Sequence, residues 1–227
     1  MTRAHKNYYF ESIGSNFDRW MSDYDVQRRT VEICGAIPEG FNGRCLEVGC
    51  GTGAISRSLR PLIDDLTVTD ISAVLSKDTA QLLKCAWSQE DGMALSFENN
   101  SFDLVVSSEC IEHTPDPQKC VTEMLRVLSP GGTLIVTTPN RLWWPVVRVA
   151  QILRIRKFQG NEKFLSVRKL SSTIEQHGGQ IIRRSGCHLF PWHLPFAKPV
   201  LKRIDKYGEF LYPVMINQVA IAIKLSD

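Results

Sequence analysis

Between residues 44 and 139 the apolar positions switch repeatedly between a period of two and a period near 3.6. Arg44-Cys-Leu-Glu-Val48 is a short apolar run that enters a glycine cluster, and it predicts a buried strand followed by a helix over Ala54–Leu62. Leu66–Asp70, rich in β-branched residues and closed by a carboxylate, predicts a second strand. The spacing over Ser72–Lys84 predicts a helix with Ser72 as its N-cap. Cys85–Ser88 and Phe102–Ser107 read as a third and fourth strand. Pro117–Leu128 reads as a helix with proline at its start and a Pro130-Gly131-Gly132 turn after it, leading into a fifth strand over Thr133–Thr138. Strands alternating with helices require crossover connections, so this stretch predicts an α/β fold built on a parallel sheet.

The pattern differs on either side of this core. In residues 1–42, Phe10, Ile13, Phe17, Trp20, Met21 and Tyr24 recur at spacings of three and four, predicting one or two amphipathic helices that end by Pro38 and Gly40. After Pro139, Arg141–Lys157 reads as an apolar, basic helix interrupted by Pro145. Ser166–His177 predicts a helix stopped by Gly178-Gly179, and Gln180–Cys187 and Ile216–Lys224 predict two last strands. The stretch between them is rich in proline and aromatic residues. The whole is expected to be one domain, 1–227: an N-terminal helical extension (1–42), a ligand-binding core (43–140), and insertions over 141–177 and 188–215 that cap a substrate site. The sheet then has seven strands with helices on both faces.

Composition adds three constraints. No apolar run approaches the roughly 20 residues that span a bilayer, and the N-terminus has no apolar signal region, so the expected location is cytoplasmic, either free or peripheral to a membrane. Seven cysteines without CxxC or other zinc spacing read as reduced thiols. The net charge of +3 conceals an uneven distribution: residues 1–140 carry 12 Lys+Arg against 19 Asp+Glu, whereas residues 141–206 carry 14 against 3. Such a basic segment suits an anionic substrate, an anionic lipid surface or a solvated face.

The chemistry concentrates at the strand ends. Glu47-Val-Gly-Cys-Gly-Thr-Gly53 lies between a strand and a helix, where glycine allows a sharp turn and close approach of a ligand to the main chain. Gly49-Cys-Gly51-Thr-Gly-Ala54 also matches a dinucleotide fingerprint, which leaves a nicotinamide-dependent oxidoreductase open. Glu47 argues for the other reading, because a carboxylate beside the loop disfavours pyrophosphate and tolerates a cation. Asp70, at the end of the next strand, suits a ribose diol in either case.

These residues resemble motif I of the class I S-adenosylmethionine-dependent methyltransferases. The resemblance runs in register through Asp70, Asp91-Gly92, Phe102-Asp-Leu-Val-Val, Glu112-His113-Thr-Pro-Asp-Pro and Leu128-Ser-Pro-Gly-Gly-Thr-Leu, covering residues 43–140. It implies a Rossmann-like fold, S-adenosylmethionine as cofactor, and direct displacement at its methyl carbon. Glu47, Gly49, Cys50, Gly51 and Gly53 would face the methionine part, with Asp70 and the adjoining Ile71 at the ribose. Asp91, Gly92 and Met93 would line the adenine, and Glu109 would flank the sulfonium.

Glu109-Cys-Ile-Glu112-His113 reads ExxEH. On a helical turn Glu109, Glu112 and His113 would be neighbours able to hold Mg²⁺ or another divalent ion. Without metal, His113 and Glu112 are the candidate catalytic pair, with His113 as general base and His188 and His193 as weaker candidates. This region is also similar to the ubiquinone-biosynthesis O-methyltransferases, including Asn140-Arg141 and the apolar, basic run after it. That similarity implies O-methylation, with peripheral membrane contact through 141–169, but the chain departs from it beyond residue 160, so its substrate does not carry over and the expected acceptor is a small-molecule, lipid-like or glycan one. Tyr8, Tyr9, Phe17 and Trp20 are candidates for a lid or for packing on the sheet edge. A non-catalytic S-adenosylmethionine-binding module is the remaining rival. Nucleic acid is not an expected partner, since no Asn/Asp-Pro-Pro-Tyr motif is present.

Overall fold

The computed structural model describes residues 23–153, 162–190 and 197–226. Its centre is a seven-stranded sheet in the order β3-β2-β1-β4-β5-β7-β6. The strands are β1 (Arg44–Val48), β2 (Asp65–Asp70), β3 (Ala86–Gln89), β4 (Phe102–Ser108), β5 (Leu128–Pro139), β6 (Gly179–Cys187) and β7 (Asn217–Lys224). Pairs among β1 to β5 are parallel, and β7 runs antiparallel to both β5 and β6. The strand order reverses direction at β1 and β4, which opens a crevice at their carboxyl ends.

Side chains alternate across the sheet as its pleat requires. Leu46, Val105, Leu134, Val136, Ala220 and Ala222 face one apolar cluster, while Cys45, Leu104, Val106, Ile135, Val219 and Ile221 face the other. Helices α1 (Asp23–Cys34), α2 (Ser56–Leu59) and α3 (Ala73–Leu83) pack on the second face. Helices α4 (Pro117–Val127) and α6 (Val167–Gln176) cover the first. Their caps follow from sequence. Ser72 Oγ accepts from Leu75 N–H, Asp116 from Gln118 and Lys119 N–H, and Ser166 Oγ from Lys169 N–H.

Three expectations need correction. The helix expected over Ala54–Leu62 is confined to Ser56–Leu59, because Pro61 cannot extend it. Pro130-Gly131-Gly132 is not a turn outside the sheet: β5 begins at Leu128, paired with Phe102, and passes through these residues with a register irregularity. Finally, the helix expected over Arg141–Lys157 is not one element over the described residues 141–153, and 154–157 lie outside them. A 3₁₀ turn over Arg141–Trp143 precedes α5 (Trp144–Ile152), with Pro145 tolerated in its first turn. The region after β6 also contains α7 (Ala197–Ile204) and the single-turn α8 (Gly208–Leu211), which the apolar pattern did not reveal. Phe10, Ile13, Phe17, Trp20 and Met21 lie outside the described residues, as do Tyr8, Tyr9 and His193.

Candidate functional site

β1 delivers Glu47 and then the glycine loop. Gly49 and Cys50 N–H both donate to the Thr69 carbonyl, at 2.8 and 2.9 Å, so the loop folds over the end of β2. Gly49, Gly51 and Gly53 have φ of 81°, 52° and 80°. Glycine is demanded at position 49 for two reasons. The backbone is left-handed, and a Cβ there would lie 2.2 Å from Cys110 Sγ. At Gly51 a Cβ would meet nothing within 4 Å, so this part of the loop borders open space.

Asp70 closes β2 with both oxygens engaged. Oδ2 accepts from Gly51 N–H and Oδ1 from Ser72 N–H, each at 2.9 Å. Burial raises its pKa, and these N–H donors oppose the rise. The carboxylate therefore shapes the glycine loop from below, and each oxygen retains a second lone pair for a ligand hydroxyl. Ile71 follows it, and its carbonyl accepts from Gln89 Nε2 at 2.9 Å.

Glu47 is almost fully buried, and its Oε2 has no hydrogen-bond partner. Burial pushes it up to about 7, against the nearby Ser56 hydroxyl and with help from the Asp70 charge. A buried carboxylate with an open acceptor, beside a loop bordering open space, fits the ammonium and sulfonium of S-adenosylmethionine.

After β3, Asp91 Oδ1 accepts from Met93 N–H at 3.0 Å, and Ala94 N–H returns to the Asp91 carbonyl at 2.8 Å. This makes a tight turn that presents Asp91, Gly92 and Met93 at the same edge of the sheet. Gly92 is small for a packing reason, since a Cβ would fall 2.8 Å from Cys120 Sγ. The neighbouring Glu90 is buried, and accepts from Ser88 Oγ, Ser96 Oγ and Ser96 N–H.

The ExxEH segment departs from the expected metal site. Glu109 sits at φ 50°, a left-handed conformation for a non-glycine residue. Its Oε1 accepts from Thr137 Oγ1 at 3.0 Å and its Oε2 from Asn217 Nδ2 at 2.7 Å. Glu112 lies instead on a 3₁₀ turn, Ile111–His113, and accepts from Thr138 Oγ1 at 2.9 Å. His113 Nε2 is 3.8 Å from Glu112 Oε1. Among the described residues no three metal-ligating side chains converge, because the left-handed residue and the 3₁₀ turn replace the α-helical register assumed from sequence. Burial, then the Glu109 charge, raise Glu112 well above the usual carboxylate range. His113 is the more accessible of the pair, at 13% against 2% for the side chains.

Sequence reasoning missed the buried polar group behind β4. Asp25 and Arg29 of α1 form an ion pair at 2.7 Å, and Arg29 Nη1 donates to Ser108 Oγ at 2.9 Å. His188, fully buried at φ 63°, has Nε2 3.1 Å from Asp25 Oδ1 and Nδ1 3.3 Å from Asp205 Oδ2. It is therefore committed to these carboxylates and not available to an acceptor as a base. Tyr24 Oη donates to Asp205 Oδ2 at 2.8 Å. The only signal in sequence was Tyr24/Arg28 and Asp25/Arg29 at i, i+4, which ordinarily marks a solvated helix face.

The profile described as "Methyltransferase domain" matches residues 46–136. The malonyl-[acyl-carrier protein] O-methyltransferase of Enterobacter lignolyticus is 30% identical over 176 residues, 75% of this chain and 70% of that protein. A ubiquinone biosynthesis O-methyltransferase of Xanthomonas axonopodis is 29% identical over 174 residues, covering 71% and 73%. The fold is similar to that of a SAM-dependent methyltransferase from Thermotoga maritima, with a TM-score of 0.70 at 21% identity, covering 95% of this chain and 97% of the other.

Proposed function

We propose that this chain, which belongs to the S-adenosylmethionine-dependent methyltransferases, methylates an oxygen of a small-molecule or lipid-like acceptor held at the carboxyl edge of its sheet. Family membership sets aside the nicotinamide oxidoreductase and the non-catalytic module. The observation that carries the site assignment is Glu47, a buried carboxylate with an open oxygen beside a glycine loop whose φ values are positive. Glu47, Gly49, Cys50, Gly51 and Gly53 would hold the methionine part of the cofactor. Asp70 and Ile71 would hold the ribose, and Asp91, Gly92 and Met93 the adenine, with Glu109 on the sulfonium side. When bound, S-adenosylmethionine supplies an electrophilic methyl group.

The chain's own part is positioning and proton removal. His113 takes the acceptor's hydroxyl proton. Glu112, closed off from solvent and bonded to Thr138, stands behind it as a positioning group and not as the base. The relatives named for ubiquinone, malonyl-acyl-carrier-protein and demethylmenaquinone chemistry support an acceptor with an apolar tail or an anionic carrier. Residues 141–169 would cap that acceptor and touch an anionic membrane surface. Along α5, Trp144, Val149 and Ile152 are exposed, the last at 73%, and the Arg148 guanidinium lies 5.7 Å from the Trp144 ring centroid. Among the described residues no helix is long and apolar enough to cross a membrane.

Incubation with S-adenosylmethionine and either a polyprenyl catechol or a malonyl thioester, read as S-adenosylhomocysteine release, tests the reading. Release with an oxygen acceptor is expected; with the catechol, whose hydroxyl proton must leave, it should be lost in His113→Ala, whereas a malonyl carboxylate is already ionised and needs no base. Catechol turnover unaffected in His113→Ala would overturn the base assignment, and methyl label recovered on carbon or nitrogen would overturn O-methylation.

A further inference from the structure

The buried group behind β4 is a directed chain that ends on Glu109. Each hydroxyl has one proton, which fixes the direction. Thr137 Oγ1 donates to Glu109 Oε1 at 3.0 Å, so the Ser108–Thr137 contact, also 3.0 Å, must be donated by Ser108. Ser108 Oγ in turn accepts from Arg29 Nη1 at 2.9 Å. On the other side Asn217 Nδ2 donates to Glu109 Oε2 at 2.7 Å. Both Glu109 oxygens thus face donors, an arrangement that favours the ionised carboxylate. Burial, with the Asp25 charge, raises the Glu109 pKa overall, and the Arg29 charge and the Asn217 and Thr137 hydrogen bonds hold that rise in check.

Arg29 is itself held in place. Its guanidinium lies on both Asp25 oxygens, at 2.7 and 3.3 Å, and Asp25 Oδ1 also faces His188. His188 is braced by Asp205 through its ring and its backbone N–H, and by the Tyr24 ring at a centroid distance of 5.2 Å. Five carboxylates, Asp25, Glu32, Glu109, Asp205 and the exposed Glu209, face the guanidiniums of Arg28, Arg29 and Arg183 here. The two carboxylate neighbours of His188 raise its pKa against burial.

We propose that Arg29 and Thr137 are positioning residues that keep Glu109 ionised and aimed at the sulfonium of the cofactor, which makes helix α1 a working wall of the site. The proposal rests on the assignment of Glu109 to the sulfonium side. It predicts a charge-specific effect: the chain selects the cationic cofactor over its neutral product because Glu109 stays anionic.

The test is calorimetry with S-adenosylmethionine and S-adenosylhomocysteine, which needs no acceptor, across pH 5.5–8.5. Wild type should prefer the sulfonium form. Thr137→Val, close to isosteric, and Arg29→Gln should lower the ratio of the two affinities about tenfold at neutral pH and move its acid midpoint upward. Thr137→Ser and Arg29→Lys should restore the ratio. Glu47 and Asp70 also face the ligand but titrate in every variant, so differences between variants report on Glu109. A defect that is merely structural would weaken both ligands together and leave the ratio alone. If Arg29→Gln fails to fold, Thr137→Val carries the test. A wild-type ratio in Glu109→Gln would overturn both the cofactor assignment of Glu109 and this proposal. A reduced ratio in Glu109→Gln with an unchanged ratio in Thr137→Val would overturn the positioning role alone.

Discussion

Replacing Gly49 with alanine separates two reasons for a glycine that are usually confounded. One is backbone conformation: φ is 81°, and a left-handed non-glycine residue costs about 1–2 kcal/mol. The other is space. The new Cβ would lie 2.2 Å from Cys110 Sγ and 2.6 Å from Cys110 Cβ, an overlap of the kind that costs roughly 1–3 kcal/mol in a packed site. Gly49→Ala should therefore destabilise the fold by roughly 2–5 kcal/mol. Cys110→Gly removes both overlapping atoms and leaves the dihedral untouched. In the double variant the steric part should vanish and the conformational part remain, giving a coupling of roughly 1–3 kcal/mol in the stabilising direction. Urea unfolding of the four proteins, extrapolated linearly to water, measures this directly. Additivity within about 0.5 kcal/mol would refute the reasoning, since the two sites would then be energetically independent despite their separation.

Asp70→Asn keeps one acceptor but turns an NH₂ toward a backbone N–H, so it should weaken S-adenosylmethionine binding by about 1.5–3 kcal/mol, roughly ten- to a hundredfold, and unchanged calorimetric affinity would dismiss the ribose assignment. Glu47, raised to about 7 in the fold, holds a proton that the unfolded chain releases near the ordinary carboxylate value of 4.5; stability should therefore fall as pH rises between those values, by about 3 kcal/mol in total. Glu47→Gln should flatten that pH dependence, and cofactor binding near pH 6.5 should release a proton in wild type only, which calorimetry in buffers of different ionisation enthalpy reads. Because Glu109 turns to Thr137 and Asn217, away from the Glu112–His113 pair, EDTA should leave methyl transfer intact, and a loss restored by Mg²⁺ would show that a metal assembles them. Trp143 Nε1 is tied to the Val214 carbonyl, so Trp144→Ala with Ile152→Ala is the cleaner probe of membrane contact: sedimentation with anionic vesicles should fall in the double variant and weaken with salt, and no wild-type binding at low salt would end that part of the reading.

What the chain declares by itself is local or periodic. The five parallel strands, the cap Ser72, and the glycine loop with a carboxylate at each strand end were legible because they depend on residues a few positions apart. The likeness of motif I and its successors carried the cofactor class for the same reason. The two last strands were also legible from pattern, but β7's place between β5 and β6 was not, since pairing partners lie up to 90 residues apart. Tertiary structure decided everything that depends on contacts across the chain. It assigned Gly49 to the close approach of Cys110, and split Glu109 from Glu112 by a left-handed residue and a 3₁₀ turn that no spacing rule foretells. It also buried Asp25, Arg29 and His188, polar residues that a pattern reading leaves in water. The reason is that burial of a charge is favourable only when its partners arrive from elsewhere, here Asp205 from beyond β6 and Ser108 from β4, and a one-dimensional pattern contains no term for the His188–Asp25 pair, 163 positions apart.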